Sequence, residues 1–217
     1  MLLYLHGFAS GPSSHKARVL SERFAAIGVP VVVPDLTPGG DGFERSSPSS
    51  MLAIAERLLH DAVPPHAIVG SSLGGYLASV IASRDPSVER LVLLAPAFRL
   101  FERWRGRLGE KDLAKWRANG LETMHYASGR NRRIGWQFFE DAQRYPPFPD
   151  VRVPALCIAG TRDETVPFVD VEAFVARTLT ARLVPVDDGH ELAASLDRIF
   201  DEARAFLAPF LAAGGAG

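Results

Sequence analysis

Val69-Gly70-Ser71-Ser72-Leu73-Gly74-Gly75-Tyr76 is the stretch on which the fold turns. A short apolar run, residues 67–69, leads into it, and an apolar segment with helical spacing, residues 73–82, leads out. In that setting the pattern G-x-S-x-G marks a sharp strand-to-helix turn whose serine stands above the edge of a sheet. Flanking side chains would collide in so tight a turn, which accounts for Gly70 and Gly74 and makes Ser72, not Ser71, the candidate nucleophile. Glycine and serine also populate ordinary turns, so the rest of the chain has to agree before the motif carries weight.

Outward from this turn, apolar runs rich in Val, Ile and Leu recur at residues 2–5, 29–33, 91–94, 155–159 and 183–186. Their length and composition predict strands buried on both faces. Segments with helical spacing lie between them, at residues 17–27, 51–59 and 169–179. The alternation predicts an α/β fold, a mainly parallel sheet of about six strands with helices on both faces, in a single domain spanning the chain. Leu192, Leu196, Ile199, Phe200, Phe206 and Phe210 follow an amphipathic rhythm and predict a closing helix. The remainder, residues 212–217, offers nothing to bury and is expected to fray. Residues 97–150 break the alternation: they carry all three tryptophans and no evident strand, and Pro146-Pro-Phe-Pro149 ends them. They are read as a helical cap insertion, because long inserted segments in compact domains are usually functional. Trp104, Trp116, Trp136 and Phe138 are its candidate substrate-pocket residues.

Two further motifs follow strands. Gly160-Thr-Arg-Asp163 places an acid past the end of one predicted strand, and Asp187-Asp188-Gly189-His190 delivers a histidine after the last. All three residues are then expected at the same sheet edge, in the order Ser, acid, His. A serine hydroxyl is a poor nucleophile until a base accepts its proton, and imidazole suits that role near neutral pH. A carboxylate then fixes the imidazole tautomer and stabilises the imidazolium. Ser72, Asp163 and His190 are therefore the candidate catalytic residues. The first strand runs into His6-Gly7-Phe8, which makes the backbone N–H groups of Phe8 and Leu73 the candidate oxyanion hole. His6 is read as a hydrogen-bonded loop brace. Asp187 and Asp188 are read as turn formers, and Glu164 is set below Asp163.

With Leu3-Tyr-Leu-His-Gly-Phe8, Gly70-Ser-Ser-Leu-Gly-Gly-Tyr76, Gly160-Thr-Arg-Asp163 and Gly189-His190, the chain resembles the α/β-hydrolase superfamily, most of all the small YqiA-type bacterial esterases. The likeness covers residues 1 to about 95 and again from about 153 onward. It implies the hydrolase fold, the triad and hydrolysis of small carboxylic esters through an acyl-enzyme. The chain starts at what resembles the third strand of larger members, so the first two strands are expected to be missing, and residues 97–150 carry none of the motifs on which the resemblance rests.

Composition narrows the alternatives. A hydrophobic share of 47% excludes a disordered chain, and a formal charge of -1 gives no reason to expect nucleic acid as partner. From Arg99 to Arg133, however, ten basic residues face four acidic ones, a local excess read as a solvated face or as an attraction for an anionic acyl carrier. Thioester hydrolysis is the alternative chemistry, since the same machinery serves it. A non-catalytic ligand-binding protein is the rival of another class. The single cysteine, Cys157, lies in an apolar run and is read as a buried, inert thiol. His15, His60, His66 and His125 have no metal-ligand spacing and are read as solvated. No phosphate loop or dinucleotide fingerprint occurs, so no cofactor or metal is expected. With neither a basic leader nor a run long enough to span a membrane, a cytoplasmic protein is expected.

Overall fold

A computed structural model describes residues 1–214. The elements in chain order are β1 (Leu2–Leu5), α1 (His15–Ala26), β2 (Val31–Val32), α2 (Gly42–Arg45), α3 (Pro48–His60), β3 (His66–Ser71), α4 (Leu73–Ala82), β4 (Val88–Leu94), α5 (Leu100–Asn119), β5 (Leu121–His125), β6 (Arg130–Ile134), α6 (Gln137–Ala142), β7 (Ala155–Gly160), α7 (Phe168–Arg177), β8 (Ala181–Val186) and α8 (Leu196–Gly214). Six strands form one parallel sheet in the order β2-β1-β3-β4-β7-β8.

Why those runs are unbroken in apolarity is visible in the packing. Successive strand residues point to opposite faces, and both faces are covered. Leu3, Leu5, Ile68, Leu91, Leu93 and Cys157 pack with α3, α4 and α7. Leu2, Tyr4, Val69, Val92, Leu156 and Ile158 pack with α1 and α8. The outer strands depart from this. β2 is only two residues long and part exposed, and β8 alternates between covered and exposed positions. Every residue of α4 is buried, since the sheet lies on one side of it and the segment 97–150 and α3 on the other. No described helix is long and apolar enough to cross a membrane.

The order reverses between β1 and β3. From β1 the chain steps outward to β2, then returns to the other side of β1 as β3 and continues away from it. In such sheets the strand loops diverge at this switch point, leaving a crevice beyond the carboxyl ends of the strands. The loop after β1 begins at His6 and the turn after β3 holds Ser72, so both candidate parts of the site flank that crevice.

Two expectations are corrected. Residues 97–150 are not wholly helical: β5 and β6 form an antiparallel hairpin, Leu121 opposite Ile134 and His125 opposite Arg130. α5 is itself two helices joined at Gly109, whose φ of 67° breaks the spiral. The expected fray at 212–217 is helix as far as Gly214, and its residues 215–217 lie outside the described part of the chain.

Candidate active site

The turn at Ser72 is built by excluded volume. A Cβ on Gly70 would stand 2.5 Å from the Gly74 carbonyl oxygen, and one on Gly74 would stand 2.1 Å from that of Leu5. Only glycine lets α4 start so close to β3 and β1. Ser72 takes φ 53° and ψ −117°, a region that costs an L residue about 1–3 kcal/mol and persists only where neighbours enforce it. Here Ser72 N–H donates to Leu94 O at 2.9 Å, and Ala97 N–H donates to Ser72 O at 2.9 Å. Ser71, by contrast, is buried in β3.

His190 reaches the serine from the turn after β8. Its Nε2 lies 3.0 Å from Ser72 Oγ, and its Nδ1 lies 2.8 Å from Asp163 Oδ2. The Asp163 side chain is 1% exposed, and its other oxygen accepts N–H groups of Thr165 and Val166 at 2.8 Å each. Burial raises this carboxyl, but the hydrogen bonds from His190, Val166 and Thr165 outweigh it and hold it below the usual carboxylate range. An ionised Asp163 only accepts, so Nδ1 must carry the proton and Nε2 is free to accept the Ser72 hydroxyl. Gly160 lets the two loops meet: a Cβ there would stand 2.4 Å from the Asp188 carbonyl oxygen.

The other acids have local duties. Asp188 accepts Gly189 N–H at 2.8 Å, Ala194 N–H at 2.9 Å and the Ser195 hydroxyl at 3.0 Å, which fixes the turn. Asp187 pairs with Arg162 at 2.8 Å, and Glu164 is exposed. His6 is buried, with Nδ1 3.0 Å from Gly7 O and Nε2 accepting Leu36 N–H at 3.2 Å. Burial holds its pKa below the ordinary imidazole value. It is a neutral brace of the loop after β1. His66 and His125 are also buried, not solvated as the sequence reading had them. Burial likewise pushes the Cys157 thiol up.

Gly7 brings that loop against Ser72, a Cβ placed on it lying 3.4 Å from Ser72 Cβ. Among the described residues neither Phe8 N–H nor Leu73 N–H has an acceptor, so both donors are available. The Phe8 ring packs on Trp104 at 5.2 Å and on Phe138 at 5.3 Å between centroids. Segment 97–150 thus rests directly on this loop. The hairpin adds a second tie, Tyr126 N–H donating to Ala9 O at 2.7 Å. Of the four expected pocket aromatics, Trp116 and Phe138 are fully buried, while Trp104 and Trp136 are half-buried. A cleft of about 270 Å³ opens instead beside Tyr76, Phe101, Arg105, Gln143 and Tyr145. Its lining includes neither Ser72 nor any of those four, and Phe101, touching both Trp104 and Phe138 at 5.9 Å, stands between. Much of the basic excess is paired: Arg99 and Arg103 with the buried Asp170, Arg132 with Glu44, Lys115 with Asp112.

Comparison with known proteins adds the relatives. The model of the Uncharacterised protein family UPF0227 matches residues 1–207, and so takes in residues 97–150, which the sequence reading had placed outside the family's pattern. The chain belongs to that UPF0227 family. Its fold is that of the α/β-hydrolase superfamily. The structure of Est1E from Butyrivibrio proteoclasticus with ferulic acid bound is 22% identical with a TM-score of 0.83, over 97% of this chain and 89% of that one. A putative hydrolase from Agrobacterium vitis is 25% identical with a TM-score of 0.81, over 94% and 87%. A monoacylglycerol lipase from Paleococcus ferrophilus is 15% identical with a TM-score of 0.71, over 95% and 93%.

Proposed function

We propose that this UPF0227 member is a serine hydrolase that cleaves small carboxylic esters through an acyl-enzyme on Ser72. The observation that carries the reading is the chain from Ser72 Oγ to His190 Nε2 at 3.0 Å and from His190 Nδ1 to Asp163 Oδ2 at 2.8 Å. Ser72 Oγ attacks the ester carbonyl carbon while His190 takes the hydroxyl proton. The oxyanion that forms is held by the N–H groups of Phe8 and Leu73, the second at the positive end of α4. His190 then returns its proton to the leaving alcohol as the C–O bond breaks. Water, deprotonated by the same imidazole, attacks the acyl-enzyme and releases the acid, restoring Ser72. Asp163 stays ionised and stabilises the imidazolium. Fold relatives are in keeping with this chemistry: one was solved with ferulic acid bound and another is named a monoacylglycerol lipase.

In this reading residues 97–150 act as a cap. Phe8 packs on Trp104 and Phe138, which brings a bulky aromatic wall to the oxyanion loop and favours short or medium acyl groups. Each methylene contributes about 0.8 kcal/mol while it is buried. kcat/KM measured over a series of esters, with the matching thioesters beside them, should therefore climb with acyl length and then break. Trp104→Ala should move the break to longer chains. A climb with no break, or the same profile in Trp104→Ala, would sink the cap reading. Turnover of no ester or thioester would sink the enzymatic one.

A further inference from the structure

A buried cation stands directly behind His190. Lys16 lies in the first turn of α1 and is 9% exposed. Nothing local to α1 favours it there: a cation opposes the positive end of the helix dipole, the first turn holds no acid, and Ser14 makes no side-chain cap. Burying an ammonium is unfavourable unless each donor finds an acceptor. Lys16 Nζ has three donors, and all are directed at one turn. They meet the Glu191 carbonyl at 2.8 Å, the Glu191 carboxylate at 3.2 Å and the His190 carbonyl at 3.5 Å.

Asp188 ties Gly189, Ala194 and Ser195 of that turn from within, which leaves the main chain at residues 190 and 191 as the part it does not hold. Between the end of β8 and the start of α8, Leu192 N–H donates to Gly189 O at 3.2 Å, yet the His190 and Glu191 carbonyls accept no main-chain N–H among the described residues. The Glu191 side chain is 81% exposed, so its ion pair is screened by water and is the minor part of the contact. We propose that Lys16 is a positioning residue, whose ammonium fixes the main chain at residues 190 and 191 so that the imidazole stays between Ser72 and Asp163. The inference rests on the assignment of His190 as general base. A lysine that merely ties α1 to the rest of the fold would lower stability without changing the turnover of molecules that remain folded.

The test compares Lys16→Met, Lys16→Arg and Glu191→Gln, with kcat divided by the number of sites titrated with a fluorophosphonate, so that misfolded molecules drop out. Displacement of a base by about 1 Å costs on the order of 100-fold in rate, so Lys16→Met should lose roughly 10- to 100-fold in kcat per titrated site. KM should hold. Lys16→Arg, which keeps a charged donor able to reach both carbonyls, should recover most of the loss, and Glu191→Gln should stay close to the parent. A Lys16→Met kcat per site equal to the parent's, or a change in KM alone, would overturn the proposal. Should the apolar variant fail to fold, Lys16→Gln serves in the same assay and is judged by the same outcomes. Failure of the parent to take up the probe at Ser72 would overturn the ester-hydrolysis reading itself, and is told apart because it appears before any variant is made.

Discussion

Residue by residue, the account stands on which acid and which serine face His190. Asp163→Asn keeps its one carbonyl oxygen for the N–H groups of Thr165 and Val166 and turns an NH2 donor toward His190 Nδ1, so the Nδ1–H tautomer is no longer enforced and kcat should fall by on the order of 10⁴. Asp188→Asn should leave kcat near the parent value but lower the unfolding midpoint, because its contacts all lie within its own turn. Steady-state kinetics and thermal melts of both variants check this; a larger kcat loss in Asp188→Asn would reassign the orienting carboxylate. The meeting of Ser72, Asp163 and His190 at one sheet edge was legible because each follows a strand and a glycine-bearing turn marks each place. Lys16 was not. Nothing in Ser14-His-Lys-Ala17 announces burial, since its partners are carbonyls 174 and 175 residues away. The buried state of His66 and His125 was hidden for the same reason: it is set by elements distant in the chain.

Glycine positions test the elements themselves. Gly74→Ala puts a carbon 2.1 Å from the Leu5 carbonyl, where only β1 could move. Overpacking against backbone of this kind should cost roughly 3 kcal/mol or more of unfolding free energy. Gly106→Ala in α5, where an added carbon meets nothing within 4 Å, should raise stability by about 0.5–1 kcal/mol. Urea unfolding of the two variants reads both signs, and a stable Gly74→Ala would contradict the tight turn. The buried strands were evident as apolar runs, and four helices as periodic segments between them. The hairpin escaped notice because Leu121-Glu-Thr-Met-His125 and Arg130-Asn-Arg-Arg-Ile134 carry charges on a largely exposed surface. Its usable sequence signal was the Ser128-Gly129 pair in the turn between the two runs, with Gly129 at φ 66°. The start of α3 was set by the Ser47 capping box and Pro48, ahead of the apolar positions from which it was read.

Across the whole molecule, stability should depend on pH with a definite sign. Burial keeps His6, His66 and His125 below the ordinary imidazole value, so the folded chain holds them neutral while the unfolded chain protonates them below about pH 6.5. The unfolded state then binds more protons, and stability falls as pH falls through that range. Asp163, Asp141 and Glu44 add a second loss at lower pH. Burial raises each, but hydrogen bonds from His190, Ser49 and Arg132 prevail and hold them low. Their contribution is present above about pH 4 and is lost as pH drops below it. Urea midpoints should be highest near neutrality, decline through the histidine range and fall again in acid; a midpoint that rises on acidification below neutrality would contradict these assignments. At this scale the parallel sheet of about six strands followed from strands alternating with helices, while its strand order and switch point are set by the fold itself. The position of the cleft did not follow either, since it depends on where the start of α5 and the residues from Ala142 to Pro147 come to lie against Tyr76.

The central claim is that Ser72 is made nucleophilic by His190. Reaction of the intact protein with a fluorophosphonate, followed by peptide mapping in a mass spectrometer, tests it most directly. A single adduct on Ser72, absent in Ser72→Ala and formed far more slowly in His190→Ala, is the predicted result. An adduct on Ser71, or labelling that proceeds at the same rate without His190, would contradict it.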